Sequence, residues 1–228
     1  MKSVQLTLSG VVNVGGERVP FSGTGLEDLA NRTMSMTMHM SAAGSQVDIT
    51  ELLIGSHIYM KLSGPGISMK QLTGHDWGEI QLPGGITTGT SQMSDPMQML
   101  QYLTAQGATV TQLGPATVGG ELTTGYAVAV PHGLLVTEAT KRLNAVTGMS
   151  ASERASILQA IDAMPGLNFK VWFDKTDHLL RRMVFDMSLN FAPGASGATT
   201  MTMTFSKYGQ PVHVVAPSPG DVGQLATH

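Results

Sequence analysis

Residues 33–40, TMSMTMHM, place a methionine at every second position: Met34, Met36, Met38 and Met40, with Ser35, Thr37 and His39 between them. Thioether sulfur suits a soft ion such as Cu(I), and Met combined with His makes a ligand set for it. On an extended strand, however, same-face residues stand about 6.6 Å apart, so four thioethers cover roughly 20 Å and cannot converge on one ion. The alternation also sends His39 to the opposite face. A copper site would need two neighbouring Met and a His from another strand. Two apolar uses of the same residues stand ahead of it. One is an ordinary core, in which Met fills irregular gaps. The other is a deformable wall for an apolar ligand, the role that unbranched side chains take in promiscuous binders.

Catalytic patterns are absent from the chain. It holds no G-x-S-x-G, H-E-x-x-H, P-loop or G-x-G-x-x-G. The histidines stand at 39, 57, 75, 132, 178, 213 and 228, none at metal-ligand spacing from another. Asp174, Asp177 and His178 lie in DKTDH, which reads as a hairpin turn where Asp bonds the local backbone. Arg181-Arg182 opens a strand and reads as a solvated pair, with an anionic headgroup as the sharper alternative. In His75-Asp76-Trp77, Trp77 is a packing residue or, alternatively, an entrance residue. No catalytic residue, metal or cofactor is assigned, and the chain is read as a non-enzyme.

Composition narrows the classes further. The chain has 228 residues, 13% charged and 42% hydrophobic, with a formal net charge of −3. It lacks the basic face a nucleic-acid binder needs, and it is too apolar for a disordered chain. There is no Cys, hence no disulfide, thiolate metal site or Cys nucleophile. No run of about 18 apolar residues occurs. Methionine is abundant, at 16 residues, while aromatics reach only 5%.

The elements that must position these residues obey a period of two. Val4, Leu6 and Leu8 alternate with polar residues, and Gly15-Gly16 reads as a hairpin into 17–25. Strands come next over 32–41, over 45–53 with Val47 and Ile49 on one face, and over 57–62 with Ile58, Met60 and Leu62 on one face. Residues 63–92 read as loop around WGEIQL. Asp95-Pro96 opens a helix to Gly107, offering Met97, Met99, Leu100 and Leu103. Strands near 108–114 and 121–130 precede a helical stretch, 136–163, broken near Gly148. Ser150-Ala-Ser-Glu153 is a capping box for its second piece, which offers Ile157, Leu158 and Ile161. Strands over 167–173, 178–191 and 199–208 close the chain. Met183, Phe185, Met187, Leu189 and Phe191 share one face of the second, and Met201, Met203 and Phe205 one face of the third. The rest is an extended, Pro-rich tail. One-sided burial over nine or more strands predicts an α+β fold, residues 1–228 forming a single domain. Its centre is a large curled antiparallel sheet, a half-barrel, with helices covering the concave face.

Three stretches carry a family likeness. They are IGSHIYMKLSG with the WGEI segment after it, LNFKVWFDKTDHLLRRMVFDM, and MTFSKYGQPVHVVAPSPGDV. Together they resemble the lipoprotein-carrier superfamily of LolA and LolB, in particular its actinobacterial LppX/LprG-type lipoproteins. The resemblance implies the half-barrel fold, export to the cell envelope and a membrane tether on an N-terminal lipidated Cys. No such Cys is in this sequence, so signal and anchor are expected on a segment it does not include. It also implies a monomer that binds and carries a lipid or lipid-like ligand between sheet and helices, and the charge balance argues against a nucleic-acid partner. The cavity lining is then Met34, Met36, Met38, Met40, Val47, Ile49, Ile58, Met60, Met99, Leu100, Leu103, Leu158, Ile161, Met183, Phe185, Met187, Met201 and Met203. The same architecture also serves ligand-free interaction or sensor modules of the envelope, which stays open beside the copper reading.

Overall fold

The computed structural model describes residues 3–14, 17–28, 30–31, 33–42, 44–81, 100–145, 150–162, 166–192 and 195–225. Among these residues thirteen strands form one sheet. The first five are β1 (Ser3–Val14), β2 (Glu17–Asp28), β3 (Thr33–Ala42), β4 (Ser45–Ile54) and β5 (His57–Gly64). A short β6 (Ile67–Ser68), a one-turn helix α1 (Met69–Thr73) and β7 (Trp77–Gln81) succeed them. After a 3-10 turn (Gln101–Leu103) come β8 (Thr109–Val118), β9 (Glu121–Pro131), α2 (His132–Ala145) and α3 (Ala151–Asp162). The chain closes with β10 (Gly166–Asp174), β11 (Leu180–Ala192), β12 (Ala195–Ser206) and a small β13 (Val222–Gln224).

Across the sheet the order is β13-β7-β5-β4-β3-β2-β1-β12-β11-β10-β9-β8, with β6 paired to β5 off this path. Every pairing is antiparallel except β13 with β7. Two runs of neighbouring antiparallel strands, β1–β5 and β8–β12, thus meet where β1 pairs with β12 in the middle of the sheet. A sheet of this width relieves accumulated twist by curling.

Register turns the sequence alternation into continuous rows on one face. Leu8 stands opposite Met203, Met203 opposite Met183, and Met183 opposite Val171. In the other direction Leu8 faces Gly23, Gly23 faces Met38, Met38 faces Ile49 and Ile49 faces Leu62. The opposite face is a ladder of hydroxyls: Thr204, Thr7, Thr24, Thr37 and Thr50 succeed one another across five strands. Such threonines suit a pleated surface that is wet on one side.

Turn chemistry fixes these registers. Gly119 and Gly120 link β8 to β9 with φ of 61° and 90°, the left-handed pair a two-residue hairpin needs. Gly15-Gly16, expected to turn β1 into β2, lie outside the described residues, but Val14 pairs with Glu17 on either side of them. Between β10 and β11, Asp174 Oδ1 accepts from the backbone N–H groups of Thr176 (2.7 Å) and Asp177 (3.2 Å). Asp177 Oδ1 accepts from Leu179 (2.9 Å), and His178 takes φ of 59°. This is the turn that DKTDH predicts.

Two predicted helices change. In the 95–106 helix, residues 95–99 lie outside the described residues. Beyond Leu100 the chain makes a 3-10 turn that ends at Leu103, and three-residue turns continue it, Ala105 donating to the Tyr102 carbonyl and Ala108 to the Ala105 carbonyl. The 136–163 stretch does form two helices, but α2 begins earlier, at His132, directly from β9. The main packing of α3 is on α2, whereas α2 lies on β9 and β10. The two helices are also tied by Arg154, which donates to the Leu143 carbonyl and to Asn144 Oδ1, satisfying the open end of α2. Within the 63–92 stretch read as loop around WGEIQL, Trp77–Gln81 form a strand. The Pro-rich tail crosses back from β12 to the β7 edge. It sets out on the hydroxyl face, where buried Ser3 donates through Oγ to the Gln210 carbonyl.

Candidate functional site

The apolar face divides into a closed part and an open part. In the closed part, β1 and β9–β12 meet under α2 and the 3-10 turn. Leu6, Val171, Met183, Phe185, Met203 and Phe205 are all buried there, together with Tyr102 and Leu135 from the covering elements. Phe185 and Met183 are 0% exposed, and the Phe169 and Phe185 rings lie 6.1 Å apart. This is close-packed core.

Over β2–β5 the same face is only half-buried. Phe21, Met38, Met40, Val47, Ile49, Met60 and Leu62 all retain partial exposure. They are contiguous by register: Phe21 faces Met40 and Met40 faces Val47, while Met38, Ile49 and Leu62 form the next row. Four strands and three rows make a wall of roughly 14 Å by 13 Å. Buried Met34 and Met36 root its inner rows, at 4% and 7% exposure. At its far edge a Cβ on Gly78 would fall 2.6 Å from Leu225 and 2.7 Å from the Met69 sulfur, so Leu225 and α1 close the wall there. At the other side the Phe21 ring lies over Gly10, 2.4 Å from where a Cβ would be, so only glycine admits that ring.

The residues predicted to line a cavity separate accordingly. Met38, Met40, Val47, Ile49 and Met60 form the wall. Met34, Met36, Ile58, Met183, Phe185 and Met203 are buried, and Met201 is half-buried against the core. Leu100 and Leu103 pack on that core from the 3-10 turn. Leu158 sits half-buried on α3, away from the core cluster. Met99 lies outside the described residues, as do the side chains of Ile161 and Met187. Sequence reasoning missed Phe21, Leu62 and, above all, Glu51. The signal was present in the spacing 47, 49, 51, 53, which carries Glu51 onto the apolar face with its neighbours.

Glu51 stands between Met36 and Met60 in cross-strand register, and burial lifts its pKa above the ordinary carboxylate value. Several other charges are tied into local pairs. His39 meets Asp48 at 2.7 Å on the hydroxyl face, where hydrogen bonds from Gln46 and His39 hold the Asp48 carboxyl low. His39 is thus on the face opposite the β3 methionines, and that strand assembles no thioether-imidazole set. His57 meets Glu79 at 2.6 Å. Arg181 spans Asp174 (3.3 Å) and Asp177 (2.6 Å) and lies 5.7 Å from the Tyr208 ring centroid, so it is engaged rather than offered to a headgroup. Backbone bonds from Thr176, then from Asp177, and the Arg181 guanidinium hold Asp174 below its usual range. Burial pushes the Tyr208 phenol far up. Trp77 shares the hydroxyl face with Lys61, whose ammonium stands 5.9 Å from its ring, so it is no entrance to the wall. Among the described residues, no three of His, Asp and Glu gather as a metal-ligand group. A shallow hollow of about 150 Å³ opens elsewhere, beside the hydroxyl face of β8–β11, near Thr109, Asn168, Lys170 and Asp186.

No family model matches the chain, and no curated protein matches it in sequence. Among solved structures, it is similar to the Mycobacterium tuberculosis lipoprotein LppX, at 14% identity and a TM-score of 0.48 over 94% of this chain and 90% of that one. It is likewise similar to LprF from Mycobacterium bovis, at 15% identity and a TM-score of 0.44 over 96% of this chain and 90% of that one.

Proposed function

We propose that this chain binds and carries a lipid or other hydrophobic ligand on its methionine wall, without catalysing a reaction on it. The observation that supports this reading is the wall itself. Seven contiguous apolar side chains from four strands stay half-buried on the face whose other half is closed core. Contiguous apolar surface left half-open beside a closed core is where an apolar ligand can be received. Met is suited to it because its unbranched chain and polarizable sulfur adapt to ligands of differing shape. Each acyl methylene removed from water contributes about 0.8 kcal/mol, so ten supply roughly 8 kcal/mol before the costs of ordering the ligand. The carrier acts as one domain over residues 1–228 and as a monomer, outside the cytoplasm and tethered to the envelope by an N-terminal lipid. The three stretches that resemble envelope lipoproteins support that location.

The test is direct. Protein purified from a lipid-rich host is analysed by native mass spectrometry and by solvent extraction, and delipidated protein is titrated with the neutral dye Nile red. We expect a co-purifying amphiphile near one per chain, and saturable dye binding after its removal. A chain that carries no extractable lipid and leaves the dye unbound overturns the proposal.

A further inference from the structure

Glu51 is the polar residue in the innermost row of the wall. It belongs to the row Gly25, Met36, Glu51, Met60, Gly78, with Ile49 and Leu53 on either side of it along β4. It makes no hydrogen bond or ion pair among the described residues. The titratable and charged residues of the two adjacent strands, His39 on β3 and His57, Tyr59 and Lys61 on β5, alternate onto the opposite face. Packing gives no reason for a carboxyl here, since Leu or Met would extend the wall without the cost of desolvating an acid. Burial already raises its pKa, as expected of a carboxyl short of polar company.

Any chain lying on the wall covers this group and, among the described residues, leaves it no partner but the ligand. An ionised carboxyl only accepts hydrogen bonds, so it suits a hydroxyl donor and repels an anion. From this we infer that Glu51 sets the ligand class of the wall: an acyl amphiphile whose neutral, hydroxyl-bearing head donates to the carboxyl, with fatty-acid anions turned away. The inference rests on the wall being the ligand site.

Two probes with the same acyl chain, monooleoylglycerol and oleate, serve as competitors of Nile red at pH 8, with the wild-type chain, Glu51→Gln and Glu51→Leu. The wild type is expected to prefer the glyceride by roughly tenfold, the order of one close charge–charge or charge–dipole contact. Glu51→Gln, which keeps shape and removes charge, should tighten oleate by about the same factor. Glu51→Leu should remove the preference altogether, and circular dichroism verifies that both variants fold. A preference for oleate in the wild type, or an unchanged ratio in Glu51→Leu, overturns the role of Glu51 while leaving the wall intact. If neither probe displaces the dye from any of the three proteins, the wall itself is not the site and both readings fall.

Discussion

Methionine does two different jobs on one face of this sheet. Met183 and Met203 sit at 0% and 3% exposure between Leu8 and Val171, in a row with no slack. Met38 continues the same row on the other side of Leu8, past Gly23, yet keeps part of its surface in water. The residue type, the strand period and the face are identical. Only the cover differs, because α2 and the 3-10 turn lie over β9–β12, while the described helices leave β2–β5 largely uncovered. The difference shows that a Met row carries no function of its own. It becomes core where an element is laid across it, and stays half-buried where no described element is.

The largest expected effect lies on the closed side. Phe185 is fully buried, in register with Phe169 and Met201. Phe185→Ala should cost about 3–5 kcal/mol, and Met183→Ala about 2–5 kcal/mol, because neighbours held by a rigid sheet cannot collapse into the space. Urea denaturation measures this, and a loss below about 1 kcal/mol for either would show that the closed side is no better packed than the open one.

On the wall the balance should reverse. Met38→Ala and Met60→Ala remove side chains that are already half in water, so each should cost less than about 1 kcal/mol of stability. The double substitution should nevertheless weaken Nile red binding several-fold. Stability losses as large as those on the closed side would erase the distinction between core and wall.

Much of this was legible from period-two alternation. The strands from Val4 to Phe205, their shared face and the DKTDH turn all appear in residue order, because each is governed by local backbone geometry. Cover was not legible. Alternation tells which face Met183 and Met38 share but not what lies over each, since that depends on where helices distant in sequence come to rest. For the same reason α3, amphipathic enough to be assigned to the sheet, packs mainly on α2 instead. The short strands β7 and β13 were missed because each owes its existence to a neighbour rather than to its own pattern. Glu51 was missed for a simpler reason: a charged letter reads as solvent-facing even where the spacing of Val47, Ile49 and Leu53 places it inside.

Two carboxyls extend the comparison to pH, with the smallest effects. Asp174, in the turn at the closed end of the sheet, is held low by backbone N–H groups and then by Arg181. Its folded-state pKa lies below the unfolded one, so its stabilisation is present above the unfolded pKa and is lost as pH falls through the folded pKa. Asp174→Asn should therefore lower the melting temperature at pH 7 and approach the wild type as acid protonates the carboxyl. Glu51 shifts the other way, raised by burial. The folded chain binds its proton more tightly than the unfolded chain does, so folding is penalised progressively as pH rises from the unfolded pKa through the folded one. Glu51→Gln should match the wild type in acid and exceed it at pH 7, by at most about 1 kcal/mol for a half-buried group. Melting curves of the three proteins between pH 3 and pH 8 would separate these outcomes. If Glu51→Gln is instead the less stable at pH 7, the carboxylate has a stabilising partner within the fold and is not held in reserve for a ligand. If its curve tracks the wild type at every pH, Glu51 is solvated and the wall has no buried polar group.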